Sequence, residues 1–344
     1  MHNIMWHKEL FALGVLTICS ACDADDVFDR FRTWVSSRHM EFKDNAELSH
    51  VFGNWASNDD YIQKINLANL TWVASHNAWS GMSLDEFKEY MGLNTNAIPD
   101  QTLSVVNESV QLDVDALPSA WDWRTTGVVS AIRDQGQCGS CWAFSGTSTI
   151  ESAVAIKTGV LNDLSEQQGV DCSTIKEGWK NMGCNGGWYY DLWDYVKSNG
   201  GLSSESCYSY TSGVTKSTGT CQKTCSAIPN TKVSGQVVVT PYSDSSMLNA
   251  LYVNPVSVAI EADTQAFQLY SSGVFKNTGC GTSLDHAVVI VGWGTDSVGG
   301  DYYILRNSWG TTWGESGYMK LARGTIYGKS GECGVLSLPY YPVL

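Results

Sequence analysis

The sequence has little positive charge and no long apolar run. Its 344 residues contain 21 Lys and Arg against 35 Asp and Glu, which gives a formal net charge of −14. Phosphate groups and anionic lipids repel a chain this acidic, so the charge argues against a nucleic-acid or membrane-surface partner. The most apolar stretch, Leu10–Cys19, is ten residues long, whereas a bilayer-spanning helix takes about 20. A hydrophobic content of 43% argues against disorder throughout.

The stretch Leu10–Cys19 predicts a secretory signal instead. Lys8 precedes it, and the small residues Ser20, Ala21 and Cys22 follow it, as at a signal cleavage site. The alternative is a buried N-terminal helix, which the acidic residues directly after position 22 disfavour. We therefore expect residues 1–22 to be a signal peptide, and the exported chain to have no membrane partner.

The cysteine count agrees with export. Eleven cysteines are present, and loss of Cys19 and Cys22 with the signal would leave nine. Nine cysteines make four pairs and one remaining thiol, which is typical of a secreted enzyme with a reactive cysteine. The count does not give the pairing.

One cysteine stands where a thiol is expected to be reactive. A loop at residues 135–139 leads to Ser140, which opens a helical pattern that Gly159 is placed to end. Cys141 then lies in the first helical turn, where unpaired backbone N–H groups and the helix dipole favour a thiolate. Taken alone, Cys138 and Cys141 are also compatible with a redox pair, half of a zinc site or two disulfide cysteines. The Cys and His spacings of the chain fit no usual zinc pattern, so we predict no metal site.

Two later motifs supply the other groups that a cysteine protease needs. His286 stands in Asp-His-Ala at residues 285–287, and Asn307 stands in Arg-Asn-Ser-Trp-Gly at residues 306–310. A thiol nucleophile needs an imidazole to hold its proton and a side-chain amide to orient that imidazole. With Cys-Gly-Ser-Cys-Trp at residues 138–142, these motifs resemble the papain family of cysteine proteases. The resemblance covers nearly all of the chain after the signal.

The resemblance implies a role for each of these residues. Cys141 would be the nucleophile, His286 would hold its proton as an imidazolium, and Asn307 would orient the ring. Gln135 would stabilise the oxyanion together with the backbone N–H of Cys141. The implied substrate-binding residues are Gly186, Gly187, Trp188, Tyr189, Ala259, Leu284, Asp285, Ala287, Trp309 and Leu338.

The nature of those residues suggests what the enzyme would cut. The glycines would let an extended peptide pair with the backbone, as an added strand does. The mostly apolar side chains predict Leu, Phe or Val as the second residue before the cut. No long insertion with histidines follows Gly187, unlike in the family's dipeptide-removing branch, so we expect an endopeptidase.

The family also implies a disulfide pairing. The expected bridges are Cys138–Cys184, Cys172–Cys221 and Cys280–Cys333, with Cys207 and Cys225 in a fourth, less general bridge. Cys141 would then be left unpaired. No cofactor is expected.

Residues 23–115 are expected to form an inhibitory pro-segment and its linker. Between Val27 and Leu93, apolar residues recur at helical spacing and resemble the pro-segment of the cathepsin L-like branch. Residues 94–115 are polar and aperiodic, which predicts an extended linker, and we expect maturation to cut within residues 113–117. Asn69 and Asn107 stand in glycosylation patterns.

Residues 116–344 are expected to form the peptidase domain. Helical patterns dominate up to Thr231 and short strands dominate after it. This segregation predicts an α+β protein, and the resemblance implies the papain-like two-lobe fold, with a helical lobe, an antiparallel β-barrel-like lobe and an N-terminal α-helical pro-segment. Cys141 would belong to the helical lobe and His286 and Asn307 to the strand lobe, so the active site would lie in the cleft between them.

The sequence thus predicts a cysteine endopeptidase that is made as a zymogen and works through an acyl-enzyme. The alternatives are a non-catalytic binding protein on the same fold and a disulfide-rich secreted binding module. Expected partners are protein or peptide substrates, the chain's own pro-segment as inhibitor, and cystatin-like inhibitors. We expect a monomer that is secreted or stored in a lysosome-like or vacuole-like compartment.

The uneven charge of the chain predicts activation by acid. Residues 1–114 contain sixteen carboxylates and seven basic side chains. If the folded carboxylates are paired, their pKa values are depressed and the stability that they contribute is lost on acidification. Self-processing is therefore expected to be fastest near pH 4–5, roughly the range in which carboxylates titrate.

Overall fold

The computed structural model describes residues 24–93, 112–276 and 279–344. The predicted signal peptide, the glycosylation pattern at Asn107 and most of the predicted linker lie outside these residues. The described chain forms a helical pro-segment, a helical lobe and a sheet lobe, so the predicted α+β two-lobe architecture is confirmed. No helix in the described ranges is long and apolar enough to cross a membrane.

The pro-segment begins with two helices that make their own core. Asp44 accepts hydrogen bonds from the N–H groups of Ala46 and Glu47 and so begins the second helix. The fully buried ring of Phe31 packs edge-on against Trp55, with 5.5 Å between ring centroids, and joins the two helices. The elements of the pro-segment are α1 (Ala24–Ser37), α2 (Asn45–Leu67), β1 (Trp72–Ala74) and α3 (Leu84–Lys88).

The helical lobe is built around one almost completely buried helix. Its helices are α4 (Cys141–Thr158), α5 (Glu166–Cys172), α6 (Tyr189–Asn199) and α7 (Ser212–Thr215). Helix α4 is buried around most of its circumference, as a helix at the centre of a domain should be. It ends at Gly159 with φ +75°, the left-handed conformation predicted for that glycine.

The sheet lobe contains most of one nine-stranded sheet. Its strands are β2 (Trp121–Asp122), β3 (Gly235–Val238), β4 (Val256–Ile260), β5 (Tyr270–Phe275), β6 (His286–Asp296), β7 (Gly300–Arg306), β8 (Tyr318–Ala322) and β9 (Tyr340–Val343). The helices α8 (Asp244–Val253) and α9 (Gln265–Gln268) lie between strands. The strand order is β1-β5-β8-β7-β6-β4-β9-β3, with β2 beside β6. All of these pairs are antiparallel except β5 with β8.

The two lobes meet where α4 packs on β6. The hydroxyl of Ser145 in α4 donates to the carbonyl of Val288 in β6 at 2.9 Å. Cys141 is the first residue of α4 and His286 is the first residue of β6, so this packing places both at one end of the interface. The predicted cleft between the lobes lies at that end.

The pro-segment docks on the sheet lobe as an additional strand. Strand β1 pairs with β5, with Trp72 opposite Gly273. The indole of Trp72 lies 5.0 Å from the ring of Phe275, centroid to centroid, and is buried. Downstream, Trp79 and Phe87 enter the same apolar core as Trp309 of the peptidase domain. The pro-segment is therefore held by backbone pairing and by aromatic packing.

Candidate active site

Cys141 stands at the amino-terminal end of α4 and is fully buried, with 0% exposure. It is the one free cysteine of the described residues, because the others form disulfides. These disulfides agree with the pairing that the resemblance implied, and they are Cys138–Cys184, Cys172–Cys221, Cys207–Cys225 and Cys280–Cys333. The thiol at the start of α4 is therefore available for chemistry.

His286 and Asn307 come together at the ends of two neighbouring strands. His286 begins β6, and Asn307 directly follows β7, the antiparallel neighbour of β6. The Nε2 atom of His286 lies 2.8 Å from Asn307 Oδ1. Trp309 stacks on the imidazole at 4.6 Å between centroids and shields this hydrogen bond from water.

The thiol contacts the backbone next to this imidazole. The Sγ atom of Cys141 accepts a hydrogen bond from the backbone N–H of Ala287, the residue after His286, at 3.3 Å. The Nδ1 atom of His286 is buried and has no hydrogen-bond partner among the described residues. The three predicted residue types are thus brought together from both lobes.

Burial disfavours the charged forms of this thiol and this imidazole. Burial raises the pKa of Cys141 to about 12, and the N–H groups of Ala287 and Gly92 offset it only in part. Burial likewise lowers the pKa of His286 to about 4, against its hydrogen bond to Asn307 Oδ1. In this closed state burial of the sulfur outweighs the effect of the helix terminus, and the expected thiolate stays a prediction for the open cleft.

Gln135 lies in the loop that precedes α4 and is fully buried. Its Oε1 atom accepts a hydrogen bond from the hydroxyl of Ser308 at 2.7 Å, which fixes the orientation of the amide. Its Nε2 atom donates to the carbonyl of Cys138 at 3.0 Å and to the carbonyl of Tyr90 at 3.2 Å. The second acceptor belongs to the pro-segment, so the pro-segment engages this donor.

The pro-segment continues through the cleft as an extended chain. The carbonyl of Gly92 accepts from the N–H of Gly187 at 3.1 Å, and the N–H of Leu93 donates to the carbonyl of Asp285 at 3.0 Å. A Cβ atom on Gly92 would lie 2.3 Å from the carbonyl oxygen of Gly139, so only glycine fits there. The N–H of Gly92 also bonds the buried sulfur of Cys141.

Most of the predicted substrate-binding residues line one apolar region beside that segment. Leu93 of the pro-segment packs in the same cluster, and the hydroxyl of Tyr189 donates to the carbonyl of Leu338. The predicted residues in this cluster are Trp188, Tyr189, Ala259, Leu284, Ala287 and Leu338. Trp309 belongs to another core and covers His286 instead.

Asp285 bonds the pro-segment through its backbone carbonyl, whereas Gly186 is distinguished by its backbone conformation. The carboxylate of Asp285 accepts from the N–H groups of Ala262 and Asp263, and burial raises its pKa to about 7. Gly186 has φ +109°, which few other residues adopt. Sequence reasoning missed Tyr90 and Ser308, although Ser308 lies inside the motif that contains Asn307.

One group of possible metal ligands occurs among the described residues. It consists of Cys280, Glu332 and Cys333. The two sulfurs are joined in a disulfide, so neither is a thiolate that could bind an ion.

A family model described as papain family cysteine protease matches residues 117–343. The chain belongs to the papain family of cysteine proteases. A senescence-specific cysteine protease from Oryza sativa subsp. japonica is 37% identical over 97% of each chain. Fruit bromelain from Ananas comosus is 35% identical over 93% of this chain and 87% of its own length.

Solved papain-family proenzymes have the same fold. A recombinant stem bromelain precursor has a TM-score of 0.82 at 35% identity and covers 93% of this chain and 99% of its own. Digestive procathepsin L 3 from Tenebrio molitor larval midgut has a TM-score of 0.78 at 32% identity and covers 92% and 99%. This papain-family chain is a cysteine endopeptidase that is made as a zymogen, with its pro-segment bound to the peptidase domain.

Proposed function

We propose that Cys141, His286, Asn307 and Gln135 carry out the peptide hydrolysis. The observation that carries this assignment is the contact of Cys141 Sγ with the backbone N–H of Ala287, the residue after His286. The ring of His286 is in turn hydrogen-bonded to Asn307. When the pro-segment leaves, water enters the cleft and the burial that keeps both groups neutral is relieved. The thiol proton then moves to Nδ1 of His286, which leaves a nucleophilic thiolate.

The reaction then follows from the positions of these groups. The thiolate attacks the peptide carbonyl carbon, and the oxyanion accepts hydrogen bonds from Gln135 Nε2 and the backbone N–H of Cys141. His286 gives its proton to the leaving amine, the C–N bond breaks and the acyl group stays on sulfur. Water, deprotonated by His286, attacks the acyl-enzyme, releases the carboxylic acid and restores the thiol.

The pro-segment is proposed to inhibit by occupying the groups that substrate needs. The Tyr90 carbonyl uses the oxyanion donor of Gln135, and Gly92 uses the backbone of Gly187. We place the maturation cut within residues 113–117. In support, the first pairing of the peptidase domain follows at Trp121, which lies opposite Trp293 in β6.

The apolar cluster around Leu93 is proposed to bind the second residue before the cut, with a preference for Leu, Val or Phe. In support, Leu93 of the pro-segment packs against the same cluster as Leu284 and Leu338. A peptide series that varies only this position should give the highest kcat/KM for these three residues and a much lower value for Arg. Equal kcat/KM for Arg and Leu at this second position would contradict the assignment.

A charge placed in this cluster should change the preference. Leu338 is half-buried, so Leu338→Glu can reach the incoming side chain and should favour Arg by charge complementarity. Leu338→Gln has the same length without the charge and is the matched control. If both variants have the same kcat/KM for the Arg peptide, Leu338 does not line this subsite.

We further propose that the enzyme is secreted or resides in a vacuole-like compartment. Four disulfides require an oxidising route during folding. Microscopy of the full-length chain with a C-terminal fluorescent tag would test this, and retention in the cytosol would contradict it.

A further inference from the structure

The loop closed by the Cys207–Cys225 disulfide lies directly behind Gln135. It carries Tyr210, whose hydroxyl donates to the backbone carbonyl of Gln135 at 2.8 Å and lies 2.7 Å from Ser140 Oγ. With the phenol proton donated to Gln135, the hydroxyl of Ser140 donates to the oxygen of Tyr210, and the Cys138 carbonyl lies farther from it, at 3.4 Å. A chain of hydrogen bonds therefore runs from Ser140 through Tyr210 to Gln135.

This series of hydrogen bonds means that Ser140 does not cap helix α4 in the usual way. A serine that precedes a helix ordinarily accepts a hydrogen bond from a backbone N–H of the first turn. Ser140 precedes α4, but its side chain makes no such bond. Its hydroxyl is hydrogen-bonded to Tyr210 instead. The first-turn N–H groups near the proposed oxyanion position are therefore not bonded by this side chain.

Tyr210 is itself held firmly. Its ring packs edge-on against Phe144 of α4, with 4.8 Å between centroids, and its N–H donates to Glu205 Oε1 at 2.7 Å. The same loop accepts a hydrogen bond from the N–H of Gln137 at the carbonyl of Gly213, at 2.9 Å. A Cβ atom on Gly213 would lie 2.8 Å from the carbonyl oxygen of Gln135, so the two loops are in close contact.

We propose that Tyr210 is a positioning residue for the oxyanion site. Its hydroxyl fixes the backbone of Gln135, while Ser308 fixes the side-chain amide of the same residue. It also engages Ser140 and so sets the start of α4, whose first residue is Cys141. Displacement of an oxyanion donor by a few tenths of an ångström weakens its hydrogen bond in the transition state. The proposal rests on the assignment of Gln135 as an oxyanion donor.

The test compares two tyrosines of the same loop. Tyr210→Phe removes the hydroxyl and keeps the ring against Phe144. The matched control is Tyr208→Phe, because the Tyr208 hydroxyl donates to Asp171 Oδ2 at 2.8 Å and makes no contact with Gln135. Both processed enzymes are titrated with a thiol-directed peptidyl epoxide, and kcat and KM are measured per labelled site.

The expected result is a selective loss of kcat. Complete removal of one oxyanion donor costs about 100-fold to 1000-fold, so partial misplacement in Tyr210→Phe should cost about tenfold. KM should stay within about twofold, because the contact acts in the transition state. Tyr208→Phe should keep both constants within about twofold. An unchanged kcat in Tyr210→Phe, or an equal loss in Tyr208→Phe, would overturn the proposal.

A double-mutant cycle separates positioning from a general structural role. In a Gln135→Ala background, Tyr210→Phe should reduce kcat by clearly less than tenfold, because one of the two oxyanion donors that it positions is gone. An undiminished tenfold loss there would show that Tyr210 acts elsewhere. If Tyr210→Phe does not fold, Ser140→Ala breaks the same chain and should lower kcat at constant KM; no loss would refute the idea. A wild-type enzyme that the epoxide does not label at Cys141 would refute the proposed function itself.

Discussion

At the scale of single residues, the site depends on how His286 is held. Asn307 bonds one ring nitrogen at 2.8 Å and Trp309 covers one ring face, so the remaining nitrogen has a fixed direction. Burial lowers the pKa of the imidazole, and the hydrogen bond to Asn307 works against that effect. The amide therefore orients the ring and also favours its protonated form.

Replacement of Asn307 by Ala should impair both roles. A hydrogen bond to a charged group contributes about 1.5–3 kcal/mol, so kcat/KM should fall roughly tenfold to hundredfold. Because Asn307 raises the pKa of His286, its loss lowers that pKa, and the alkaline limb of the pH profile should move to lower pH. Steady-state rates from pH 4 to 9 test this. An unchanged alkaline limb would show that Asn307 does not act on the imidazole.

At the scale of elements, the inhibitory contact depends on a glycine. Gly92 crosses the cleft against Gly139, where a Cβ atom would be 2.3 Å from a carbonyl oxygen. Gly92→Ala should therefore lift the pro-segment away from Cys141, and the proenzyme should process itself at pH 7. Gly53→Ala is the matched control, because a Cβ atom at Gly53 in α2 meets nothing within 4 Å. If both variants stay latent in a gel-based processing assay, the cleft contact is not what inhibits.

The helices of the pro-segment contain an acid-sensitive junction. Asp59 in α2 bonds Arg30 of α1 at 2.6 Å and His76 beyond β1 at 3.1 Å. Burial opposes its ionisation, but the hydrogen bonds from His76 and Arg30 outweigh burial and lower the pKa of Asp59. A depressed folded-state pKa contributes stability above the unfolded value of about 3.9, and this stability is lost as pH falls through the folded value.

Asp59→Asn should therefore allow self-processing at a higher pH than the wild type requires. The variant lacks the charge at every pH, so its self-processing at pH 5.5 should be about tenfold faster than that of the wild type, for a loss of about 1.4 kcal/mol. The matched control is Asp60→Asn, since Asp60 pairs with the exposed Lys64 one turn along α2. Equal processing rates for all three proteins at pH 5.5 would exclude Asp59 as the acid-sensitive group.

At the scale of the whole molecule, the sequence predicts features that depend on neighbouring residues and misses those that depend on contacts between residues far apart in the chain. The bounds of α4 follow from Ser140 and Gly159, which act within their own turns. Strand β5 was not predicted, because it contains Gly273 and is completed by β1 from the pro-segment about 200 residues earlier. The complete burial of Cys141 was missed for the same reason, since the N–H groups that contact its sulfur belong to Gly92 and Ala287, which are remote in sequence.

In a zymogen of this kind, Cys141 should become reactive only when the pro-segment leaves. The most direct measurement is labelling with a thiol-directed peptidyl epoxide at pH 7, before and after acid processing, with the modified peptide identified by mass spectrometry. If opening of the cleft costs about 3 kcal/mol, the proenzyme should react at least about a hundredfold more slowly than the processed enzyme. We expect a single modification on Cys141 after processing and none in Cys141→Ala. Equal labelling before and after processing, or modification of another residue, would contradict the account.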